Sequence, residues 1–313
     1  MSNTTVTPAG VFLDGVPVAF PAEKDKGVSS HAEAVAGIMI AKNPGPRSVA
    51  PDAILFASTG LMTEIATQRL LNASNQKIRA VNFSFGVLLI GKDLDGNSSL
   101  TQFVDWSARV HNVVYCVSGN AGTGFPFPTD TFNGVVVGST DPIDGIFRKV
   151  NRLTELTTAT NGRHLNSLVA PGGEKQIEAP ALGSKIQKFG GSSAAAPHVT
   201  GTVALLQEFA ESRLKDKAKN WDKDAHQHQV MKAVLLNSAD KLKDEGDGKR
   251  LKMEKEIVQL DGKTNWLTSK DHDEMNPLDT QLGTGQLNAH RSLAQFHPGK
   301  HHSAGTANVP LIG

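Results

Sequence analysis

Two adjacent serines, Ser192 and Ser193, lie in a run of small residues, Gly190-Gly191-Ser192-Ser193-Ala194-Ala195-Ala196-Pro197-His198-Val199, where the longest helical pattern of the chain begins. A serine in that setting is well placed to attack a carbonyl. Small neighbours let a substrate backbone approach, and the positive end of a helix favours the negative charge that develops during attack. The same run also suits a serine N-cap followed by a small-residue helix that packs closely on a neighbour, because Ser, Thr, Asp and Asn are the preferred caps. Other candidate clusters are less pointed. Asp222, Asp224, His226 and His228 alternate as ligands on a strand would, but their segment reads as a loop running into a helix, so a solvated surface is expected. Gly119–Gly124 has the glycines of a phosphate loop without the Lys-Ser/Thr that should follow. His301 and His302 fall in a tail and define no site.

A nucleophile needs a scaffold, and the first two hundred residues supply a regular one. Short apolar runs at Ala53–Ala57, Ala80–Phe85, Val113–Ser118, Gly134–Gly138 and Ser167–Ala170 are bounded by Gly, Pro, Asn or Asp. Continuous apolar runs of this length fit strands of a parallel sheet covered on both faces. Helical patterns separate them at about Ala32–Ala41, Met62–Ala73 and Ser99–Val110, and repeated strand–helix–strand order predicts right-handed crossovers. The expected fold is therefore α/β, a three-layer doubly wound sheet, mostly parallel. A long helix is predicted from Ser192 to about Lys217, with Val199, Val203, Leu206 and Phe209 at helical spacing, and another at about His226–Ala239. Residues 1–295 form one expected domain, with a polar surface insertion over about 241–279 and a C-terminal tail over 296–313.

Composition narrows the function classes. The chain has 313 residues, 39% of them hydrophobic and 20% charged, which is ordinary globular usage and enough length for a sizeable core. A formal net charge of +1 gives no electrostatic case for nucleic acid. No apolar run approaches the roughly 18 residues that span a bilayer, so no membrane partner is expected. Cys116 is the single cysteine, so an intramolecular disulfide is impossible. The polar start, Met1–Gly10, lacks the regions of a signal peptide. Two expectations follow: a cytoplasmic protein, or a sequence that begins downstream of its export signal.

The run Gly191–Gly201 resembles the nucleophile motif of the subtilisin-like serine peptidases (subtilases, peptidase family S8), Gly-Thr-Ser-x-Ala-x-Pro-His-Val-x-Gly. Alignment on Pro197 and His198 makes Ser193 the nucleophile. Ser192 replaces the usual Thr, and Ala194 a common Met. The resemblance implies a general base at a histidine opening an early helix, and Ser30-His31-Ala32-Glu33-Ala34-Val35-Ala36-Gly37 fits that frame. Ala32, Glu33 and Ala34 depart from the family's Gly-Thr-His. An unperturbed histidine pKa of about 6.5 suits a group that accepts and returns a proton near neutrality. Val117-Ser118-Gly119-Asn120-Ala121-Gly122 resembles the family's Ala-Ala-Gly-Asn-x-Gly, which implies that the Asn120 amide, with the backbone N–H of Ser193, stabilises the oxyanion.

Further matches widen the resemblance to about Ser29–Ala294. Val81-Asn82-Phe83-Ser84-Phe85-Gly86 resembles the Asn-Met-Ser-Leu-Gly strand. That match implies that Ser84, Phe85 and Gly86 wall the pocket for the substrate side chain and offer backbone for an extended peptide; Ser118 and Gly119 join them as substrate-binding residues. Val49-Ala50-Pro51, Leu168-Val169-Ala170-Pro171-Gly172 and Gly283-Thr284-Gly285-Gln286-Leu287-Asn288 match other family segments. His198, within the nucleophile motif, is expected to pack rather than catalyse.

The catalytic aspartate of the family, in Asp-Thr-Gly or Asp-Ser-Gly after a strand, has only a shortened echo here. Asp14 ends the apolar run Val11-Phe12-Leu13 and precedes Gly15, but lies much nearer His31 than the family's few dozen residues. Asp14 is the candidate orienting acid; the alternative is an aspartate strand upstream of the given sequence. The implied function is a serine endopeptidase acting on polypeptide substrates through a Ser/His/Asp acyl-enzyme mechanism. A subtilase-like pseudoenzyme or fragment binding peptides is the alternative. An α/β-hydrolase is disfavoured, because Ser193 has no Gly-x-Ser-x-Gly elbow and the histidine precedes the serine. Calcium is compatible with the resemblance, without assignable ligands.

Overall fold

The computed structural model describes residues 30–42, 48–56, 68, 71, 78–87, 93–119, 127–143, 146–148, 158–172, 177–181, 185–240, 281–299, 301–302 and 310–311. Four strands, β1 (Ala80–Phe83), β2 (Val114–Ser118), β3 (Val135–Ile143) and β5 (Leu168–Pro171), pair in parallel in the order β1-β2-β3-β5. The short β4 (Ile146–Arg148) turns back antiparallel on the end of β3.

The continuous valine runs are explained by burial on two faces. Along β2, Val114 and Cys116 point into one core cluster, while Tyr115 and Val117 point into another. On β3, Val135 and Val137 face the first cluster and Val136 the second. Period-2 alternation thus places an apolar side chain on both sides of the sheet.

Helix α2 (Ser99–His111) covers the second face with Leu100, Val104 and Ala108. Its N-cap Ser98 accepts a hydrogen bond from the Thr101 N–H, and Asn112 ends it in the left-handed region at φ 56°. The first face is covered by the long α3 (Ser192–Lys215) through Ala195, Ala196, Val199, Val203, Leu206 and Ala210. Helix α4 (His228–Ser238) adds Met231, Val234 and Leu235 to the same core. Helix α1 (Ser30–Ile40) is buried on every side from Glu33 to Ile40, as an interior helix must be when it is apolar all round.

Several elements differ from the sequence expectation. The Ala53–Ala57 run shows one bridge, at Phe56, among its described residues. An antiparallel hairpin, β6 (Ile177–Ala181) with β7 (Lys185–Phe189), precedes α3 and was not expected. A short helix, α5 (Ala289–Phe296), follows the Gly283–Asn288 motif; Asn288 caps it by accepting from the Arg291 N–H at 2.9 Å. Phe296 is buried and meets Trp221 edge-on at 4.9 Å. Gln68 and Leu71, the described residues of the Met62–Ala73 run, are helical. The polar stretch at 241–279 lies outside the described residues. No described helix is long and apolar enough to cross a membrane.

The pair His226 and His228 departs from the solvated surface expected of it. Both are buried: His226 Nδ1 lies 2.6 Å from Gln207 Oε1 and its Nε2 3.2 Å from Glu211, while the His228 backbone N–H donates to Asn112 Oδ1 at 2.7 Å. Asp222 caps the 3-10 turn Lys223–His226 by accepting from the Asp224 N–H. These residues tie α4 to α2 and α3, and no group of three or more His, Cys, Asp or Glu that could hold a metal occurs among the described residues.

Candidate active site

Ser193 stands in the first turn of α3. The helix opens at Gly191, whose φ of 79° lies in the left-handed region open to glycine, and no side chain caps it. The N-cap reading of the two serines therefore fails. The Gly191 carbonyl instead accepts from the Ala194 N–H at 3.0 Å and the Ala195 N–H at 3.3 Å. The N–H groups of Ser192 and Ser193 come before these first internal bonds, at the positive end of the helix dipole.

Pro197, inside α3, explains the next contact. A residue four positions after Ser193 would normally donate its N–H to the Ser193 carbonyl, and proline has none. That carbonyl accepts from Ser84 Oγ at 2.8 Å, and in return Ser193 Oγ donates to the Ser84 carbonyl at 3.1 Å. Nucleophile candidate and substrate-wall candidate thus form a reciprocal pair. A hydroxyl has one hydrogen, so in this arrangement it is held by Ser84 and not donated to His31.

His31 opens α1, as expected. Its ring meets the Phe189 ring edge to face at 5.2 Å, and Gln187 Nε2 of the same strand donates to the Ser30 carbonyl at 3.0 Å. Ala34, one turn beyond His31, shares a small buried cluster with Ala194, the residue after Ser193. The first turns of α1 and α3 are thereby packed together. One side of His31 is open to solvent, yet burial of the rest lowers its pKa from 6.5.

The substrate-wall residues follow β1 directly. Ser84 is buried, whereas Phe85 is 43% exposed and leans on Phe83 with ring centroids 5.1 Å apart. Beyond Gly86, Val87 bridges to Phe127 through bonds of 3.0 and 3.2 Å. Ser118 is buried at the end of β2, and the Gly119 N–H donates to the Val137 carbonyl at 2.8 Å. Asn120 and Asp14 lie outside the described residues. His198 packs as expected: its Nδ1 lies 2.8 Å from the Ala194 carbonyl, and burial lowers its pKa more than that bond raises it. Sequence reasoning missed Phe189, which borders His31, because it lies in the unforeseen hairpin.

The mostly parallel sheet thus carries Ser193 at the start of a Pro-containing helix whose first turn packs on that of the early helix bearing His31. The model of the subtilase family, Peptidase_S8, matches residues 11–254, and the chain belongs to that family of serine peptidases. Alkaline elastase YaB of Bacillus sp. (strain YaB) is 31% identical over 206 residues, covering 61% of this chain and 50% of that relative. Thermitase of Thermoactinomyces vulgaris is 26% identical over 232 residues, covering 72% of this chain and 71% of the relative. The chain thus spans about half the length of the alkaline elastase it matches. Among solved structures, the prenylagaramide maturation protease PagA superposes with a TM-score of 0.60 at 18% identity, covering 92% of this chain and 90% of that one. At that identity the likeness speaks for the fold alone.

Proposed function

We propose that this chain is a serine endopeptidase in which Ser193 attacks the peptide carbonyl and His31 takes its proton. The observation that carries the reading is the setting of Ser193: first turn of α3, no capping side chain, and its backbone carbonyl freed by Pro197 for Ser84. On this reading a peptide pairs with the backbone at Ser84–Gly86 and at Ser118–Gly119, in the manner of an added strand.

The Ser193 hydroxyl turns from the Ser84 carbonyl to the His31 imidazole, attack forms a tetrahedral intermediate, and the Asn120 amide with the Ser193 N–H holds its oxyanion. His31 returns the proton to the leaving amine, and water, activated by the same base, releases the acyl group. Asp14 is the proposed orienting acid; in its favour, the family match begins at residue 11 and includes it.

The test is hydrolysis of an unfolded protein such as casein and of a short peptide anilide. The parent chain should cleave both, and Ser193→Ala, at equal folded concentration, should cleave neither. A folded parent without activity on either substrate would contradict the reading.

A further inference from the structure

Behind the reactive serine a line of polar groups crosses an otherwise apolar interior. Cys116 of β2 is fully buried and hydrogen-bonded to Thr200 of α3. Burial pushes its thiol up to about 12, so it keeps its proton. The single hydrogen of Thr200 Oγ1 is shared between Asn82 Oδ1, the nearer acceptor at 2.9 Å, and the Ala196 carbonyl at 3.1 Å. Asn82 turns its amide nitrogen to Ser84 Oγ at 2.8 Å, and Ser84 Oγ donates to the Ser193 carbonyl at 2.8 Å. From Thr200 through Asn82 and Ser84 each donor points toward Ser193, and hydrogen bonds aligned in this way polarise one another.

The direction depends on Thr200. Its hydroxyl is the donor facing Asn82 Oδ1, and that bond fixes which end of the Asn82 amide meets Ser84. Without it the amide is free to turn over and present oxygen to Ser84, which would then donate to Asn82 and release the Ser193 carbonyl. Pro197 supplies no N–H to take its place. Ser84 is also the residue whose own carbonyl holds the Ser193 hydroxyl, so a shift there moves the nucleophile, and attack geometry tolerates little displacement.

We propose that Thr200 is a positioning residue for Ser193, acting through Asn82 and Ser84. The inference rests on Ser193 being the nucleophile.

The test compares Thr200→Val, which keeps the shape and removes the hydroxyl, with Thr200→Ser, which keeps the hydroxyl. Rates are measured per folded molecule on a peptide anilide and as fluorophosphonate labelling. Thr200→Val should lower kcat and the labelling rate roughly 3–10-fold, the range one lost hydrogen bond covers, with KM within about twofold of the parent. Thr200→Ser should restore both to within about twofold. Asn82→Asp, which keeps the acceptor for Thr200 but loses the donor facing Ser84, should be impaired at least as much as Thr200→Val.

A Thr200→Val chain with parental kcat that is merely less stable would overturn the proposal, as would a Thr200→Ser chain no better than Thr200→Val. Where Thr200→Val does not fold, an Asn82→Asp chain with parental rates overturns it. A folded parent that does not label overturns this inference together with the proposed function, whereas a reactive parent with fully reactive variants overturns this inference alone.

Discussion

The His31 imidazole abuts the Phe189 ring at 5.2 Å with the planes 83° apart, which joins the first turn of α1 to the last residue of the hairpin that feeds α3. The contact covers one side of the proposed base and contributes to its burial. A base acts in its neutral form, so activity is lost as pH falls through its pKa. Burial lowers the His31 pKa, and the acid limb of kcat/KM against pH should therefore lie below the ordinary histidine value of 6.5. Phe189→Ala admits water to the ring and should move that limb upward. An unshifted limb would separate Phe189 from the tuning of His31.

Asn120→Ala should lower kcat roughly 10²–10³-fold with little change in KM, a magnitude that comes from a subtilisin itself. Asp14→Asn should cost roughly 10⁴ if Asp14 holds the imidazole, since an amide there favours the wrong tautomer. Single-turnover kinetics at saturating substrate distinguish these losses from weaker binding. An Asp14→Asn chain with parental turnover would remove Asp14 from the mechanism.

Gly201 in α3 is a packing glycine. A Cβ there would meet Val49 Cβ at 2.6 Å, closer than the two backbones allow without moving. Replacing a helical glycine by alanine gains about 1 kcal/mol of propensity, but forcing an extra carbon into a filled interface costs about 1–3 kcal/mol. Gly201→Ala should on balance lower the melting temperature, and it should cost less in a Val49→Gly background, where the opposing Cβ is gone. Additive effects in this double-mutant cycle would contradict the close contact.

Lys232 of α4 donates to the Phe132 carbonyl at 2.7 Å and the Gly134 carbonyl at 2.8 Å. Burial chiefly, with nearby Arg163 adding to it and Asp105 opposing, lowers its pKa from 10.5 to about 8. Between those two values the unfolded chain holds a proton that the folded chain has released, so stability from this group rises with pH; below about 8 both hold it and the dependence vanishes. Chemical denaturation of the parent and of Lys232→Met should show the parent gaining on the variant from about pH 8 to 10.5. A constant difference across that window would contradict the depressed pKa.

The strands of the parallel sheet were legible because burial on both faces leaves continuous apolar runs, as in Val113–Ser118 and Val135–Val137. The hairpin Ile177–Ala181 and Lys185–Phe189 was not, since Glu178, Pro180, Lys185 and Lys188 break any apolar run and its pairing is invisible in a single strand. Helix α5 is short, but Asn288 followed by Leu293 and Phe296 at helical spacing was a usable signal. His226 and His228 were misjudged because their partners, Gln207 and Asn112, come from other helices. At the site, the positions of Ser193 in the first turn of α3 and of His31 in the first turn of α1 were readable from motif and order. The reciprocal Ser84–Ser193 pair and the Thr200–Asn82 link were not, since each joins residues far apart in the chain.

The central claim is that Ser193 is an activated nucleophile. Incubation of the purified, folded chain with a fluorophosphonate, followed by peptide mass spectrometry, tests it most directly. The account predicts one adduct, on Ser193, formed by the parent, absent from Ser193→Ala and strongly slowed in His31→Ala. A folded parent that stays unlabelled, or an adduct on another residue, would contradict it.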